Sequence, residues 1–489
     1  MADIVVRAFI RGATVATPLL EFGGRSGEAA FRAPDPSALL GRLVVDDPGR
    51  LADLYSLTFD DIVDFLAAVG ENLALHRNAF LQEAVEHAAW FSDMTEPLVR
   101  SSYEQLASVF APETVREVAE QAIGVRFLDG WDTIRMHDGR LAAVRAFGAR
   151  TVHIVAGNSP LIAAATIVRN AILRSDAIIK LPSNDPFTAL AIARTMGEIA
   201  PDHPITRHLS VAYWKGGDTA FEEELYRPRN VEKIVAWGGL ASVRHVTRYI
   251  QPGLELISMD PKRSATLIGP EAFASDAVLD DVAARSAADI GALNQLGCVN
   301  ARVLHVVSGT DAEGLERAND LGRRIYTEMQ RLPKEVSTPA KRFDPRLRAA
   351  IRALRAAPGW YRVIGGDDGE GAVIVSQFSE PVDFHPALSG RVANVVPIDD
   401  PGEALRAMNA YTQTVGIYPE SLKRELRDAL PLYGVQRLVS LGYAASATYA
   451  LPHDAIEPVR RLAKWIVEET YEPDAAQPLW VANDSRPAA

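Results

Sequence analysis

The sequence predicts an α/β fold made of two doubly wound parallel-sheet lobes that follow a helical lead-in. From residue 151 to residue 249, four short apolar runs are each followed by a turn rich in Gly, Asn or Ser and then by a segment with helical periodicity. A second series of the same kind begins near residue 265. The chain has 489 residues, which is too long for one simple core, so we expect more than one lobe.

The segment before residue 151 divides into an irregular start and a helical stretch. Residues 1–50 are rich in Gly and Pro and predict short strands and loops. Ile62, Phe65 and Val69 recur at helical spacing, and Thr58 or Asp60 can cap the start of that helix. Further helical segments are predicted at residues 80–91, 98–110 and 112–122.

Four strand–turn–helix units make up the first α/β series. The predicted strands are residues 151–156, 177–181, 209–213 and 232–237. The turns after them carry Gly, Asn and Ser, and sheets of this kind bind ligands beyond the carboxyl ends of their strands. We therefore expect a binding site at the edge where these turns lie.

The second series contains the only cysteine and ends in a predicted helix. Its predicted strands are residues 301–307, 360–364, 372–375, 393–398, 414–418 and 434–441. Helices are predicted at residues 311–330 and 401–410, and an amphipathic terminal helix at residues 456–470. Residues 474–489 carry Pro, Asn, Asp and Ser, which predicts an extended or frayed end.

Composition and charge exclude several classes of protein. The formal net charge is −12 with acids and bases mixed along the chain, whereas a nucleic-acid groove needs a concentrated basic face. One cysteine cannot form an internal disulfide, and no Cys/His cluster predicts a metal site. No secretory signal opens the sequence and no run approaches about 18 consecutive apolar residues, so we expect a cytoplasmic protein without a membrane span.

Cys298 stands between a helical pattern and the strand predicted at residues 301–307, with amide side chains close by. A thiol at such a turn can act as a nucleophile, because thiolate is the reactive form and a partly exposed, polar or electropositive turn lowers the thiol pKa. A free cysteine can equally be a small buried apolar residue. The surrounding motifs have to decide between these two interpretations.

Standard phosphate-binding fingerprints are missing from the sequence. Neither G-x-G-x-x-G nor a Walker A loop occurs. Residues 157–161 contain the first half of a G-x-S-x-G nucleophile elbow, but the final glycine is missing and Pro160 occupies the turn. A serine hydrolase is therefore a weak interpretation.

Residues at three strand ends, taken together with Cys298, predict a cofactor-dependent site. Asn158 would offer its side-chain amide to an oxygen that becomes negative, and Lys180 suits the ribose hydroxyls or phosphate of a cofactor. Gly238 and Gly239 would let a cofactor approach the backbone at a helix start. Each feature alone has an ordinary explanation, as a turn or a solvated lysine, but the set in this order is more specific.

These motifs resemble the aldehyde dehydrogenase superfamily and, within it, the LuxC-type fatty acyl-CoA reductase family. Residues 157–160 are similar to the superfamily's Asn-x-Pro turn, whose amide lines the oxyanion site. Lys180 and Ser183 resemble the Lys-x-Ser strand end that holds the adenosine ribose, with one extra residue before the serine. Residues 237–239 resemble the glycine turn beside the pyrophosphate, and residues 295–298 match the catalytic cysteine segment.

Later segments are similar to the reductase group, and the resemblance covers roughly residues 145–470. These segments are residues 389–397, 413–417 and 452–454. An aldehyde-dehydrogenase-like fold is implied: residues 1–265 would form the lead-in and a Rossmann-like nicotinamide-cofactor domain, and residues 266–445 the catalytic domain. Residues 446–489 would be a C-terminal helix and tail that could serve oligomerisation. The resemblance also implies a homo-oligomer built partly by strand exchange.

Two departures from the superfamily pattern favour thioester chemistry over aldehyde oxidation. The hydrolytic enzymes carry a Glu-Leu-Gly-Gly-Lys element that supplies a base for water, whereas Ser258 stands near that position here. The Glu-x-Phe-Gly cofactor clamp is replaced by Ala-Leu-Ser-Gly at residues 387–390. Asp260 or Glu255 could still serve as a base, so the oxidative alternative stays open.

The resulting hypothesis is an NAD(P)H-dependent acyl-CoA reductase that forms an aldehyde. Cys298 would attack the thioester, Asn158 and the Cys298 backbone N–H would stabilise the oxyanion, and CoA would leave. The resemblance favours NADPH over NADH, and no glutamate that would repel a 2′-phosphate directly follows Lys180, although Asp185 weakens this point. An acyl carrier protein or another acylated enzyme could also be the donor, which allows for an acyl-transfer partner.

Two alternatives and three histidines complete the sequence-based hypotheses. The chain could oxidise an aldehyde to the acid with NAD(P), or it could be a catalytically silent scaffold, against which the pairing of a cysteine with an Asn-x-Pro turn argues. His153 lies inside an apolar strand and is most simply a core residue. His245 and His453 are candidates for protonating a departing thiolate.

Overall fold

A computed structural model of the chain describes residues 4–15, 17–23, 30–137, 139–446, 448–471 and 480. The strands are β1 (Ala8–Ile10), β2 (Ala13–Val15), β3 (Leu19–Gly23), β4 (Ala30–Pro34), β5 (Asp132–Arg135), β6 (Leu141–Phe147), β7 (Arg150–Ile154), β8 (Asp176–Lys180), β9 (Leu209–Ala212), β10 (Lys233–Trp237), β11 (Glu255–Met259), β12 (Arg263–Ile268), β13 (Ala301–Val307), β14 (Tyr361–Gly365), β15 (Ala372–Ser376), β16 (Val392–Ile398), β17 (Thr412–Tyr418), β18 (Arg437–Ser440) and β19 (Lys464–Thr470).

The helices alternate with these strands through most of the chain. They are α1 (Pro36–Leu43), α2 (Phe59–Asn72), α3 (Ala79–Phe91), α4 (Glu96–Glu104), α5 (Leu106–Val109), α6 (Pro112–Ala122), α7 (Pro160–Ile172), α8 (Thr188–Ile199), α9 (Pro204–Arg207), α10 (Thr219–Leu225), α11 (Leu240–Thr247), α12 (Asp276–Gly291), α13 (Ala312–Arg331), α14 (Pro345–Arg355), α15 (Pro401–Ala407), α16 (Glu420–Leu426) and α17 (Pro458–Leu462). Within the described ranges, none of them is long and apolar enough to cross a bilayer.

The first large sheet has seven strands in the order β11-β10-β7-β8-β9-β1-β2. Strands β7 to β11 run parallel, and β1 and β2 add an antiparallel edge. Strands β7, β8 and β9 are almost completely buried, as expected when helices cover both faces of a parallel sheet. The predicted strand–turn–helix units are confirmed, and the carboxyl ends of β7, β8 and β10 meet at one edge.

The second large sheet also has seven strands, in the order β14-β15-β16-β13-β12-β17-β18. All neighbouring pairs are parallel except β14 with β15. Strand β13 is central, and helices α12 and α13 share the apolar core on one face of the sheet. The predicted α/β class with two parallel sheets is therefore confirmed, and β13 begins three residues after Cys298.

The helical lead-in packs onto the first sheet through α7 and α8. Helix α2 begins with a reciprocal cap: the Asp61 backbone N–H donates to the Thr58 hydroxyl at 3.1 Å, and the Thr58 N–H donates to the Asp61 carboxylate at 2.8 Å. Its apolar residues Ile62, Leu66 and Val69 are fully buried in the core that contains α7 and α8. The helix predicted at residues 98–110 is divided into α4 and α5.

The predicted terminal helix at residues 456–470 is wrong. Only α17 is helical, and β19 follows it and pairs antiparallel with β6 in the three-stranded sheet β19-β6-β5. Trp465, Ile466 and Val467 favour a strand once a partner edge is present, and such a long-range pairing outweighs a local amphipathic pattern. Residues 472–479 and 481–489 of the predicted C-terminal tail lie outside the described residues.

Candidate active site

A cavity of about 550 Å³ lies between the two large sheets. One side is formed by the turns after β7, β8 and β10, and the other by the turn that precedes β13. It is lined by all six residues singled out from the sequence: Asn158, Lys180, Ser183, Gly238, Gly239 and Cys298. The tertiary structure therefore brings these widely separated positions into one place.

The turn before Cys298 has a left-handed backbone. Leu293, Asn294 and Gln295 have φ angles of 50°, 53° and 63°, a backbone region that residues other than glycine rarely adopt. The Gln295 side chain accepts from the Val392 N–H and donates to the Val392 carbonyl, both at 2.9 Å. The amide side chains that flank the cysteine therefore fix the backbone that carries the thiol.

Cys298 is partly buried, and burial raises the pKa of its thiol above the ordinary value. A hydrogen bond with the Gln413 side chain and the charge of Arg302 lower that pKa, whereas the carboxylate of Asp454 raises it. The expectation that a polar turn lowers the thiol pKa is wrong, because loss of water around the sulfur outweighs the favourable contacts.

Asn158 connects the first sheet to the cysteine turn. Its Nδ2 donates to the Leu296 carbonyl at 3.0 Å, two residues before Cys298. The carbonyl of the adjacent Gly157 accepts from Asn184 Nδ2 at 3.1 Å, and a Cβ at position 157 would lie 2.3 Å from Asn184 Oδ1, so this close approach requires glycine. Since an amide nitrogen carries two hydrogens, Asn158 can hold this turn and still donate into the cavity.

Lys180 presents a buried ammonium group to the same cavity. Its Nζ lies 5.7 Å and 5.6 Å from the ring centroids of Tyr213 and Trp214. Burial lowers the pKa of Lys180 to about 8, against the opposing charge of Glu222. Because Glu222 is itself bound by His245 at 2.6 Å, Lys180 is available to a phosphate or ribose oxygen.

The two glycines form an open approach to a helix start. Gly239 is the N-cap of α11, where backbone N–H groups have no helical partner. A Cβ at position 239 would meet no atom within 4 Å, and one at Gly238 would touch only the Ser242 side chain, at 3.4 Å. The residues present therefore fit a dinucleotide, for which the start of α11, Lys180 and Ser183 are the groups that could hold phosphate and ribose.

Two of the candidate acids and bases line the cavity, namely Asp260 and His453. The Ser258 hydroxyl, near the position expected for the base, donates to the Asp260 carboxylate. Glu255 is paired with Lys233 at 2.9 Å and with Arg461, so it serves a structural ion pair. His245 is likewise committed to Glu222.

His153 is a core residue, as predicted. Its Nε2 lies 3.2 Å from the Thr151 hydroxyl and 2.8 Å from Asn170 Nδ2, and the ring is buried. Burial lowers the pKa of His153 to about 4. The imidazole is therefore neutral at physiological pH and its role is to satisfy neighbouring polar groups.

Gln413 and Arg302 are site residues that the sequence did not point to. Gln413 belongs to a segment that resembles the reductase group, but nothing in its local pattern indicated that β17 would place it beside the thiol. Arg302 is four residues after Cys298, on β13, and its side chain reaches the carbonyls of Asn300 and Leu388. To identify either residue as a neighbour of Cys298, one must know which strands lie side by side in the sheet.

The fold and the cysteine cavity together place the chain in the aldehyde dehydrogenase structural class. An NADP-dependent glyceraldehyde-3-phosphate dehydrogenase from Bacillus halodurans C-125 superposes with a TM-score of 0.72 at 13% identity, over 96% of this chain and 99% of that one. Lactaldehyde dehydrogenase from Escherichia coli gives 0.70 at 14% identity, over 96% and 100%. Identities this low support the fold alone.

Within that class, the chain belongs to the acyl-CoA reductase (LuxC) family, whose profile matches residues 54–465. A long-chain acyl-protein thioester reductase from Vibrio harveyi is 29% identical over 426 residues, which are 85% of this chain and 84% of the relative. One from Aliivibrio fischeri is 24% identical over 424 residues, with 86% and 84% covered.

Proposed function

We propose that this protein reduces an acyl thioester to the corresponding aldehyde, with Cys298 as the nucleophile and NADPH as the reductant. The observation that carries the proposal is the single cavity in which Cys298 faces both an amide donor, Asn158, and a dinucleotide-compatible surface. Membership of the acyl-CoA reductase family supports the same reaction class.

The residues of the chain act at the first half of the reaction. The Cys298 sulfur attacks the thioester carbonyl carbon, a new C–S bond forms, and the bond to the donor sulfur breaks, so that the donor leaves as a thiol. Asn158 Nδ2 and the Cys298 backbone N–H donate to the oxygen while it is negative. His453 is stacked on Trp237 with ring centroids 5.4 Å apart and lines the same cavity. It is the candidate for protonating the leaving thiolate.

The cofactor would supply the hydride that converts the acyl group to the aldehyde and releases the cysteine. Lys180 and Ser183 would hold its adenosine ribose, and Gly238 and Gly239 would admit its pyrophosphate. NADPH is favoured because Asp185, the nearby carboxylate, is bound by the hydroxyl and backbone N–H of Thr188, at 2.7 Å and 3.1 Å, and does not line the cavity. NADH stays the alternative.

The acyl donor is either acyl-CoA or an acylated protein. The family description names acyl-CoA, whereas the relatives are named for an acyl-protein thioester. With CoA as the donor, CoA is the leaving group. With an acylated enzyme as the donor, a transient complex with that partner has to deliver the acyl group to Cys298.

Aldehyde oxidation is the second candidate function, and one observation favours it. Asp260 lines the cavity and could activate the water that releases an acid from the acyl-enzyme. Reduction is preferred because Asp260 accepts a hydrogen bond from Ser258, and Ser258 stands near the position at which the resemblance predicts the superfamily's glutamate. A silent scaffold would have no need for the strained turn that presents Cys298.

The assembly and setting of the enzyme are also part of the proposal. Strand β19 is an edge strand on which Ile466 and Val467 are 42% and 55% exposed, which suits a homo-oligomer that pairs this edge with another copy. We also propose a cofactor domain up to residue 265 and a catalytic domain of residues 266–445, although strand β12 (Arg263–Ile268) of the second sheet crosses that boundary. We place the enzyme in the cytoplasm.

Intact mass spectrometry tests the mechanism directly. The protein is incubated without nicotinamide with a chain-length series of acyl-CoAs, and separately with an acylated donor protein. We expect a mass gain of one acyl group that is absent in Cys298→Ala and is discharged as aldehyde when NADPH is added. Formation of free acid and NADPH from an aldehyde and NADP⁺, with no thiol acceptor present, would establish oxidation instead. No adduct and no turnover with any donor would leave the scaffold alternative.

A further inference from the structure

A second cavity, of about 330 Å³, lies beside the proposed active site. It is bounded by the first residues of β12, β13 and β17 and by the segment around His385. Arg302 lines both cavities, and the Ser264 hydroxyl, in the wall of the second one, donates to the Cys298 carbonyl at 2.7 Å. The two cavities therefore share the Arg302 side chain, and Ser264 links the wall of the second to the cysteine turn.

The second cavity is strongly basic although the chain as a whole is acidic. The formal net charge is −12, yet the lining contains Arg263, Arg302, His305 and His385 and, among the described residues that form it, no aspartate or glutamate. Burial and the charge of Arg263 lower the pKa of Arg302 to about 10. The two guanidinium groups around one small space create a positive potential, and His305, whose pKa burial lowers to about 4, adds a neutral imidazole.

Among the residues that the structure describes, none supplies a carboxylate partner to the two arginines of this cavity. Arg302 donates to the carbonyls of Leu388 at 2.9 Å and Asn300 at 3.2 Å, and within the described ranges neither it nor Arg263 pairs with a carboxylate. His305 is 5% exposed, and its Nδ1 is buried without a hydrogen-bond partner. Buried polar groups normally have partners, so the unpaired nitrogen of His305, beside two arginines that pair with no described carboxylate, indicates a place for a ligand atom.

We propose that this cavity binds an anionic group of the thioester substrate and thereby holds the reactive carbonyl at Cys298. The inference rests on the proposed function and adds a specificity determinant to it. The chemistry is that of an oxyanion, because guanidinium groups bind phosphate and carboxylate through paired, charge-assisted hydrogen bonds. An alkyl chain would leave Arg302 and His305 desolvated without compensation.

Two parts of the substrate could carry the oxyanion. In the donor, it would be a phosphate of coenzyme A or of a phosphopantetheine arm; in the acyl group, it would be a terminal carboxylate. The two sources are distinguished with thioesters that share an eight-carbon acyl chain: octanoyl-CoA, octanoyl-N-acetylcysteamine, which has no phosphate, and the CoA thioester of suberic acid, which adds a carboxylate.

Arg263→Gln is the informative variant, because Arg263 is exposed and lines the second cavity but not the first. If a phosphate is bound, kcat/KM for octanoyl-CoA falls about tenfold while that for octanoyl-N-acetylcysteamine is unchanged. If a carboxylate is bound, the wild type prefers the suberic thioester and the variant loses that preference. Arg263→Lys should recover part of either effect. Arg346→Gln, which removes a charge from the exposed surface of α14, should change nothing.

A binding measurement separates this inference from the proposed function. Calorimetry with inorganic phosphate and with glutarate on the full chain needs no turnover, and Arg263→Gln should weaken whichever anion the wild type binds. Equal kcat/KM losses on all three thioesters, or wild-type binding and kinetics in Arg263→Gln, would overturn the inference. Failure of the proposed function would show differently, as the absence of any Cys298 acyl adduct in the wild type.

Discussion

The side chains of Gln413 and Asp454 are joined by a hydrogen bond of 2.6 Å, from Gln413 Nε2 to Asp454 Oδ1, across 41 residues of sequence. Both act on Cys298: the Gln413 amide bonds the thiol and lowers its pKa, and the Asp454 carboxylate raises it. Gln413 is 1% exposed, so the pair sets the local field in a space from which water is largely removed.

The backbone around Asp454 supports a functional role for this pair. Asp454 and the next residue, Ala455, have φ angles of 51° and 59°, and two successive non-glycine residues in this region are costly. Strain of this kind persists where the surroundings hold it in place. Here the neighbouring His453 pairs with Ile456 through reciprocal backbone hydrogen bonds of 2.9 Å and 3.0 Å.

Substitutions in the pair should move thiol reactivity in opposite directions. Asp454→Asn removes the charge that raises the Cys298 pKa, and asparagine tolerates a positive φ, so alkylation by iodoacetamide at pH 7.5 should become about 2- to 10-fold faster. Gln413→Leu removes the stabilising donor and should slow alkylation by a similar factor. Rates should converge at high pH, where all forms are thiolate. Glu457→Gln, a nearby surface change, is the control, and a slower Asp454→Asn variant would contradict this assignment.

Asn158→Ala should lower kcat for thioester reduction by about 10²- to 10³-fold, because an oxyanion donor acts in the transition state. Alkylation of Cys298 by iodoacetamide needs no oxyanion site and should stay within about twofold of the wild-type rate, which controls for displacement of the turn that Asn158 ties to Leu296. A rise in KM with unchanged kcat would assign Asn158 to substrate binding instead.

The lowered pKa of Lys180 predicts that cofactor affinity depends on pH. With a pKa of about 8, its protonated fraction in the unliganded chain falls about tenfold between pH 7 and pH 9, so NADPH affinity should fall by up to that factor. Lys180→Met should bind NADPH weakly with a flatter pH profile, and Lys215→Met, an exposed neighbour, should retain the wild-type profile. Fluorescence titration with NADPH at several pH values measures the affinity of each variant. A Lys180→Met variant whose affinity falls with pH as steeply as that of the wild type would refute the assignment.

His153 should make the fold sensitive to mild acid. Its folded-state pKa of about 4 lies below the ordinary value of 6.5, so the unfolded chain binds the proton first and stability is lost as pH falls from about 6.5 to about 4. Between pH 7 and pH 5 this costs about 2 kcal/mol of unfolding free energy. His153→Gln should show a correspondingly smaller change.

The comparison between variant and wild type is needed because other buried groups titrate in the same range. The pKa of His305 is also lowered to about 4 and adds to the loss, whereas that of Asp289 is raised to about 6 and opposes it. Urea midpoints at pH 7 and pH 5 give the difference, with the exposed His76→Gln as the matched control. Equal slopes in wild type and His153→Gln would contradict the prediction.

Local signals in the sequence were sufficient for the parallel sheets and, together with the family resemblance, for residues that line the first cavity. Apolar runs that end in Gly, Asn or Ser turns predicted β7, β8 and β10, and the ligand-facing edge followed from their direction. The prediction of a terminal helix was wrong because β19 forms through pairing with β6, which lies more than 300 positions earlier. The residues of β19 alone do not reveal such a distant partner. The prediction of a lowered thiol pKa was wrong for a similar reason, since burial by distant segments outweighed the effect of the polar neighbours in sequence.

By itself, the sequence determined the fold class, the family resemblance and six residues that line the first cavity, because each depends on residue types at short spacing along the chain or on a motif that resembles the family. Only the tertiary structure decided what surrounds Cys298. Gln413, Asp454 and Arg302 come from different strands and turns, and the basic second cavity exists only where β12, β13 and β17 lie side by side. Electrostatic and solvation effects act over a few ångströms of space, whereas sequence patterns act over a few residues of chain.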